Sequence, residues 1–140
     1  MNPILRNILA VIAGVAIGSF VNMTIVGLNG PIIALPEGAD LSTMEKLKES
    51  MNLFKPIHFI FPFLGHAVGT LVGSFITAAI AANNKFRLAM AIGIWFLLAG
   101  IIMVYLVGGP IWFQATDLLI AYIPMALAGE KIAKAISPKN

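Results

Sequence analysis

Cysteine is absent from the 140-residue chain, which excludes disulfides, thiolate metal centres and cysteine nucleophiles. Charge is scarce as well. Only 11% of residues are Asp, Glu, Lys or Arg against 59% apolar, too little polar surface to clothe a water-soluble domain. Histidine occurs only at His58 and His66. The sequence has no HExxH helix, no GxSxG elbow, no phosphate loop and no carboxylate cluster suited to hydrolysis. These absences point away from an enzyme and away from a resident cofactor or metal.

What the chain has in excess is apolar length. Four runs, Ile4 to Leu28, Pro56 to Ala82, Leu88 to Val107 and Leu118 to Ile136, each approach the ~20 residues that cross a ~30 Å hydrocarbon layer. They predict an all-α polytopic membrane protein, a single domain over residues 1–140 with four transmembrane helices in an antiparallel bundle. The first run continues past Phe20 without a small-x-small cleavage site, so it reads as a retained helix rather than a secretory signal. Connections this short leave no room within these residues for a separate soluble catalytic domain.

Charge sets the expected orientation. Arg6, Lys85, Arg87, Lys131, Lys134 and Lys139 fall on one side if all four runs span, while Glu37, Asp40, Glu45, Glu49 and Asp117 fall on the other with Lys46, Lys48 and Lys55. With Glu130 counted on the first side, the formal charge divides into about +5 and about −2. The positive-inside rule then predicts a bacterial cytoplasmic (inner) membrane protein with both termini in the cytoplasm. Lysines beside anionic headgroups account for the basic balance, so no nucleic-acid partner is implied.

The first connection contains a turn at Leu35-Pro36-Glu37-Gly38, a capping-box pattern at Ser42-x-x-Glu45, and Met44, Leu47, Met51 and Phe54 at helical spacing. It predicts a short outer amphipathic helix over residues 42–54, lying on lipid or serving as a lid. In the third connection, Trp112 and Phe113 stand where interfacial anchors belong. Val26 to Ile32 and Val107 to Ile111 echo each other through Gly-Pro, as two hairpin repeats would, although Gly-Pro is also ordinary turn chemistry.

Inside the spans, polar residues carry the functional signal. At 100° per residue, Phe59, Pro62, His66, Thr70, Gly73 and Thr77 share one face of the second helix, opposite Ile57, Leu64, Val68, Leu71 and Phe75. The first face should look into the bundle, because an ionisable group facing hydrocarbon is costly. Gly65, Gly69 and Gly73 form one small-residue ridge and Gly14 and Gly18 another, with Asn22 a turn further on. These ridges suit either the crossing of the first two helices or contact between protomers.

Pro62 and Pro124 withhold a hydrogen bond from the carbonyls of His58 and Ile120. With Asn22, His58, His66, Thr70 and Asp117 nearby, they outline an outer-leaflet polar cavity for a small molecule or ion, or else simple kinks. Asp117 reads as a helix cap, or as a proton or cation site if it meets His58. Glu130 and Lys134 suit a surface ion pair. His66 is a hydrogen-bonded core group, a proton carrier or, least in keeping with its surroundings, a haem ligand.

The runs Gly65-His66-Ala67-Val68-Gly69-Thr70-Leu71-Val72-Gly73 and Pro110-Ile111-Trp112-Phe113-Gln114-Ala115-Thr116-Asp117-Leu118 resemble those of a group of small four-span bacterial membrane proteins. The resemblance implies the same architecture and draws attention to His66, Trp112 and Asp117. It carries no activity. Two expectations follow for function. The first is a non-enzymatic bundle acting through helix contacts, as a homo-oligomer or as an accessory subunit of another membrane protein. The second is a small-solute, ion or proton-coupled transporter working through His66 and Asp117.

Overall fold

The computed structural model describes residues 1–137, which are helical without a strand. The helices are α1 (Pro3–Gly27), α2 (Asn29–Ile32), α3 (Met44–Ser50), α4 (Ile60–Ile80), α5 (Lys85–Val107), α6 (Ile111–Ile120) and α7 (Ile123–Ile136). Tighter 3₁₀ turns occupy Met51–Leu53 and Pro56–Phe59. Four stretches, Pro3–Ile32, Pro56–Ile80, Lys85–Val107 and Ile111–Ile136, are long and apolar enough to cross a membrane. They mark a membrane protein. Large apolar side chains such as Ile12, Phe20, Trp95, Leu98 and Ile102 stand exposed on its flanks, a surface that suits lipid rather than water. Lys139, of the basic group at the C-terminus, lies outside the described residues.

Local chemistry sets the helix ends. Asn2 caps α1 by accepting from the Ile4 amide at 2.8 Å, and Pro3 follows where a missing N–H costs nothing. At the other end of the bundle from the cavity described below, Arg6 Nε donates to the Ile80 carbonyl and the Asn7 side chain accepts from the Ala82 amide at 2.9 Å. The last turn of α4 is thereby tied to the first turns of α1. Asn84 takes the left-handed conformation, φ 51°, to turn directly into α5.

The bundle is centred on α4, which packs against α1, α5 and α7. Glycine makes the α1 contact close. A Cβ built on Gly18 would stand 2.7 Å from the Gly69 carbonyl oxygen, and one on Gly73 would stand 2.7 Å from the Gly14 carbonyl oxygen. Backbone touches backbone at these points, so dispersion between main chains replaces the hydrophobic drive that lipid does not supply. The ridges Gly14-Gly18 and Gly65-Gly69-Gly73 meet each other within one chain.

Hydroxyls add to this packing. Ser74 donates to the Ala126 carbonyl at 2.6 Å, and the Thr77 hydroxyl shares its proton between the carbonyls of Gly73, at 2.9 Å, and Ala10, at 3.2 Å. Thr70 is buried and donates to the His66 carbonyl at 2.7 Å.

Several sequence expectations change. The fourth span begins at Ile111 rather than Leu118, because Gly108 (φ 78°) and Gly109 (φ 116°) complete the turn in two residues and Pro110 caps the helix. It is also discontinuous. The chain leaves the helix at Tyr122 (φ −115°, ψ −80°) and restarts at Ile123 with Pro124 in the first turn. That break resets the helix phase, so Pro124 is exposed, while Ala126, Gly129 and Ala133 face inward.

The Leu71 and Phe75 side of α4, expected to face lipid, meets Gly129 of α7. The helix of the first connection is shorter than 42–54 and is capped by Thr43, which accepts from the Lys46 amide at 3.2 Å, in place of Ser42. Ser42 instead gives its amide to Asp40, 2.9 Å away. The two Gly-Pro segments differ, for Gly30 and Pro31 lie within helical α2, whereas Gly109 and Pro110 form a sharp turn.

Candidate functional site: a His–Asp–Tyr cluster under an apolar cavity

His66 sits on the second turn of α4, where Gly65 lets α1 approach on one side and the ring turns toward α6 on the other. Its Nδ1 lies 2.8 Å and 2.9 Å from the two carboxylate oxygens of Asp117. A carboxylate only accepts, so Nδ1 carries the proton and donates it. The Tyr122 hydroxyl donates to Asp117 Oδ2 at 2.9 Å, and the Tyr122 ring stacks on His66 with centroids 5.8 Å apart. Asp117 is 3% exposed and Tyr122 2%. The carboxylate is therefore out of solvent, with His66 and Tyr122 as its donors and no lysine or arginine bonded to it among the described residues.

This arrangement corrects the reading of Asp117 as a helix cap. Because α6 starts at Ile111, Asp117 lies in its second half, and the break at Ala121–Tyr122 brings Tyr122 back to it. The residues are five apart, a spacing that an unbroken helix would not turn to the same face. Gly100 on α5 makes space for the ring, since a Cβ there would stand 2.5 Å from the Tyr122 hydroxyl.

The cluster forms one wall of a cavity of about 420 Å³, within the range of small-molecule sites. His58, His66 and Asp117 all border it, together with Pro62 and mostly apolar groups such as Phe59 and Phe113. Leu41, Leu47 and Met51, from the first connection that contains α3, line it as well. His66 keeps 23% of its side-chain surface, and its Nε2 has no partner among the described residues. It is left as an acceptor at the cavity wall.

His58 has a different part. Its Nδ1 accepts from the Lys55 amide at 2.9 Å, so its proton is on Nε2, which donates to the Ala34 carbonyl at 3.1 Å. Both nitrogens are used to staple residue 34 to residue 55, and Asp117 meets His66 rather than His58. The carbonyl of His58, released by Pro62, accepts from Asn29 Nδ2 at 3.0 Å. Pro62 stands in the first turn of α4, where its missing N–H is tolerated without a kink.

Two acceptors stay unsatisfied among the described residues, Asn22 Oδ1 and Asn29 Oδ1, both buried. Asn29 borders the cavity, whereas Asn22 packs against Gly65 and Gly69. Trp112 is half exposed and stacks edge-on against Phe59 at 5.6 Å, and Phe113 lies 4.6 Å from the same ring. These anchors are thus also joined to the cavity roof. Glu130 and Lys134 form no ion pair among the described residues, although both border a second, smaller cavity with Lys85.

Asp40, outside the spans, is held well below the usual carboxylate range by the Lys46 ammonium, 2.7 Å away, and by Ser42. It closes the loop that carries α3, and Ser50, 5% exposed, accepts from the Asp40 amide at 2.9 Å. No three His, Asp or Glu side chains gather as a metal site among the described residues.

Tyr122 and Asn29 had not been singled out from the sequence. The available signal for Tyr122 was Gly100, a glycine that leaves room beside α5 for a large side chain of another helix. No family model, curated protein or solved structure matches the chain.

Proposed function

We propose that this protein is a proton-coupled carrier, or carrier subunit, for a small amphiphilic solute in a bacterial cytoplasmic membrane. Its four spans form an antiparallel bundle with both termini in the cytoplasm, and α3 with its flanking turns lies on the outer face. The orientation rests on the basic residues Arg6, Lys85, Arg87, Lys131 and Lys134, which are absent from the connection between α2 and α4 apart from its mixed charges. Four helices enclose little transport path, so the working unit is a dimer.

One observation carries the proposal: a histidine bonded through Nδ1 to a buried carboxylate, with Nε2 unpartnered at the wall of an apolar cavity. Nδ1 is held by Asp117, so Nε2 is the nitrogen left to exchange a proton with the cavity. Ionisable groups inside membrane spans are expensive and mark ion or proton pathways. The break in the fourth span, one turn beyond Asp117, resembles the discontinuous helices that transporters place at their sites. By contrast, the glycine ridges behind the helix-contact expectation are occupied within the chain and offer no free face to a partner.

The test is reconstitution in liposomes loaded with a pH-sensitive dye and challenged, at clamped potential, with small amphiphiles of positive, neutral and negative charge. We expect at least one class to move protons across the wild-type membrane, with the movement lost in His66→Ala and Asp117→Asn and kept in Ile94→Leu, an exposed position away from the cavity. Indistinguishable traces from all four proteins would overturn the proposal.

A further inference from the structure

The charge balance of the cavity names its occupant. Of the titratable groups around His66, Asp117 comes from α6, Tyr122 from the α6–α7 break and His58 from the turn before α4. Helices α1 and α5 contribute no titratable group to the cavity wall, and no lysine or arginine lines it among the described residues. With His66 neutral, the site holds one unit of negative charge, buried and bonded to donors that carry no counter-charge. An uncompensated charge inside a span is costly, so in that state the site favours a positive charge, either a proton on His66 or a cationic solute.

We propose, resting on the carrier reading above, that the cavity binds an organic monocation, an ammonium with an aromatic or alkyl body, in exchange for a proton. Three features fit that chemistry. His66 Nε2 and Asn29 Oδ1 are acceptors without partners among the described residues, and they suit a ligand that brings donors. Phe54, Phe59 and Phe113 line the space and supply aromatic surface suited to a cation and its apolar body. The volume of about 420 Å³ suits one small organic molecule. Anions are refused by the carboxylate.

The exchange balances. Protonation of Nε2 turns an acceptor into a donor and cancels the site's negative charge, so the imidazolium repels the ammonium. When the ammonium binds, the proton leaves Nε2 for water, the ammonium takes the place of the imidazolium as the one cation beside Asp117, and the net charge of the site is again zero. Linkage makes the two antagonistic: a proton on Nε2 weakens solute binding, and bound solute weakens the hold on that proton by the same factor.

The experiment uses the full chain in lipid nanodiscs and three probes with nearly the same body, 2-phenylethylamine, 2-phenylethanol and 3-phenylpropionate, titrated by calorimetry between pH 5 and 8.5. We expect saturable binding of the amine, at least tenfold tighter than the alcohol at the upper pH, and none of the carboxylate. His66→Gln should keep amine binding and lose its pH dependence, and Asp117→Asn should lose the preference for amine over alcohol. Alcohol binding equal to that of the amine would overturn the monocation while leaving a carrier of neutral solutes standing. No saturable amine binding, or pH dependence unchanged in His66→Gln, would overturn the exchange. Proton movement in the liposome assay then decides separately whether the carrier reading survives.

Discussion

Replacing Tyr122 with Phe removes one hydroxyl from the buried cluster and nothing else, which makes it the sharpest test of the geometry. The lost bond runs 2.9 Å from Tyr122 Oη to Asp117 Oδ2, at a residue 2% exposed. A neutral hydrogen bond between membrane helices contributes about 0.6 kcal/mol, because the unfolded chain in lipid also finds partners. A charged acceptor roughly doubles that. Since Asp117 keeps its His66 donor, no group is left wholly unpaired, and the expected loss is about 1–2 kcal/mol.

The same change in an Asp117→Leu background should cost close to nothing, because there the hydroxyl has already lost its acceptor and the cavity beside residue 117 takes the added volume. The coupling energy of the cycle should therefore equal nearly the whole effect. Reversible unfolding in mixed micelles, followed through Trp95 and Trp112, measures all four corners. A coupling below about 0.3 kcal/mol, as found for independent sites, would refute the cluster.

Other predictions follow from packing and charge. Gly18→Ala and Gly73→Ala each force backbones apart and should lower stability by about 1–3 kcal/mol in the same assay, whereas Gly27→Ala, with open space at its Cβ, should be neutral. Gly100→Ala should lose at least as much as Tyr122→Phe, because its Cβ would meet the hydroxyl and also ring carbons at 2.7 and 2.9 Å that Phe keeps, and the double variant should lose less than the sum of the two. His58→Ala should raise amide exchange at residues 33–58, where both ring nitrogens hold main chain, yet leave the pH dependence of solute binding in place. Asp40 has a lowered pKa in the folded loop, so its support of α3 is fully present above 3.8 and is lost as pH falls through the folded value. Amide exchange at Met44–Ser50 should rise over that interval in the wild type and be already raised in Asp40→Asn.

What could be read from the sequence depended on the range of the interaction involved. The spans were legible because bilayer thickness sets a run length, and the glycine ridges because close approach demands small residues at fixed spacing. Trp112 and Phe113 misled. Two aromatics after Gly-Gly-Pro look like an interfacial loop, and only the positive φ values of Gly108 and Gly109 reveal a turn short enough to start the helix at Ile111. That shift of seven residues moved Asp117 from a helix end into a helix interior.

Pro124 announced that one bond would be missing, but a proline can bend a helix or end it, and the two outcomes put different faces inward. Here the helix ends, and the break is what brings Tyr122 to Asp117. The pairing of Asp117 with His66 joins residues 51 apart on separate helices, whose relative rotation no apolar periodicity determines. The same argument separates the two histidines. His58 is held by neighbours on the main chain and could have been exchanged for another polar staple, whereas His66 has one nitrogen fixed by a carboxylate and the other without a partner among the described residues. A purely structural group would not need that asymmetry, and a proton carrier would.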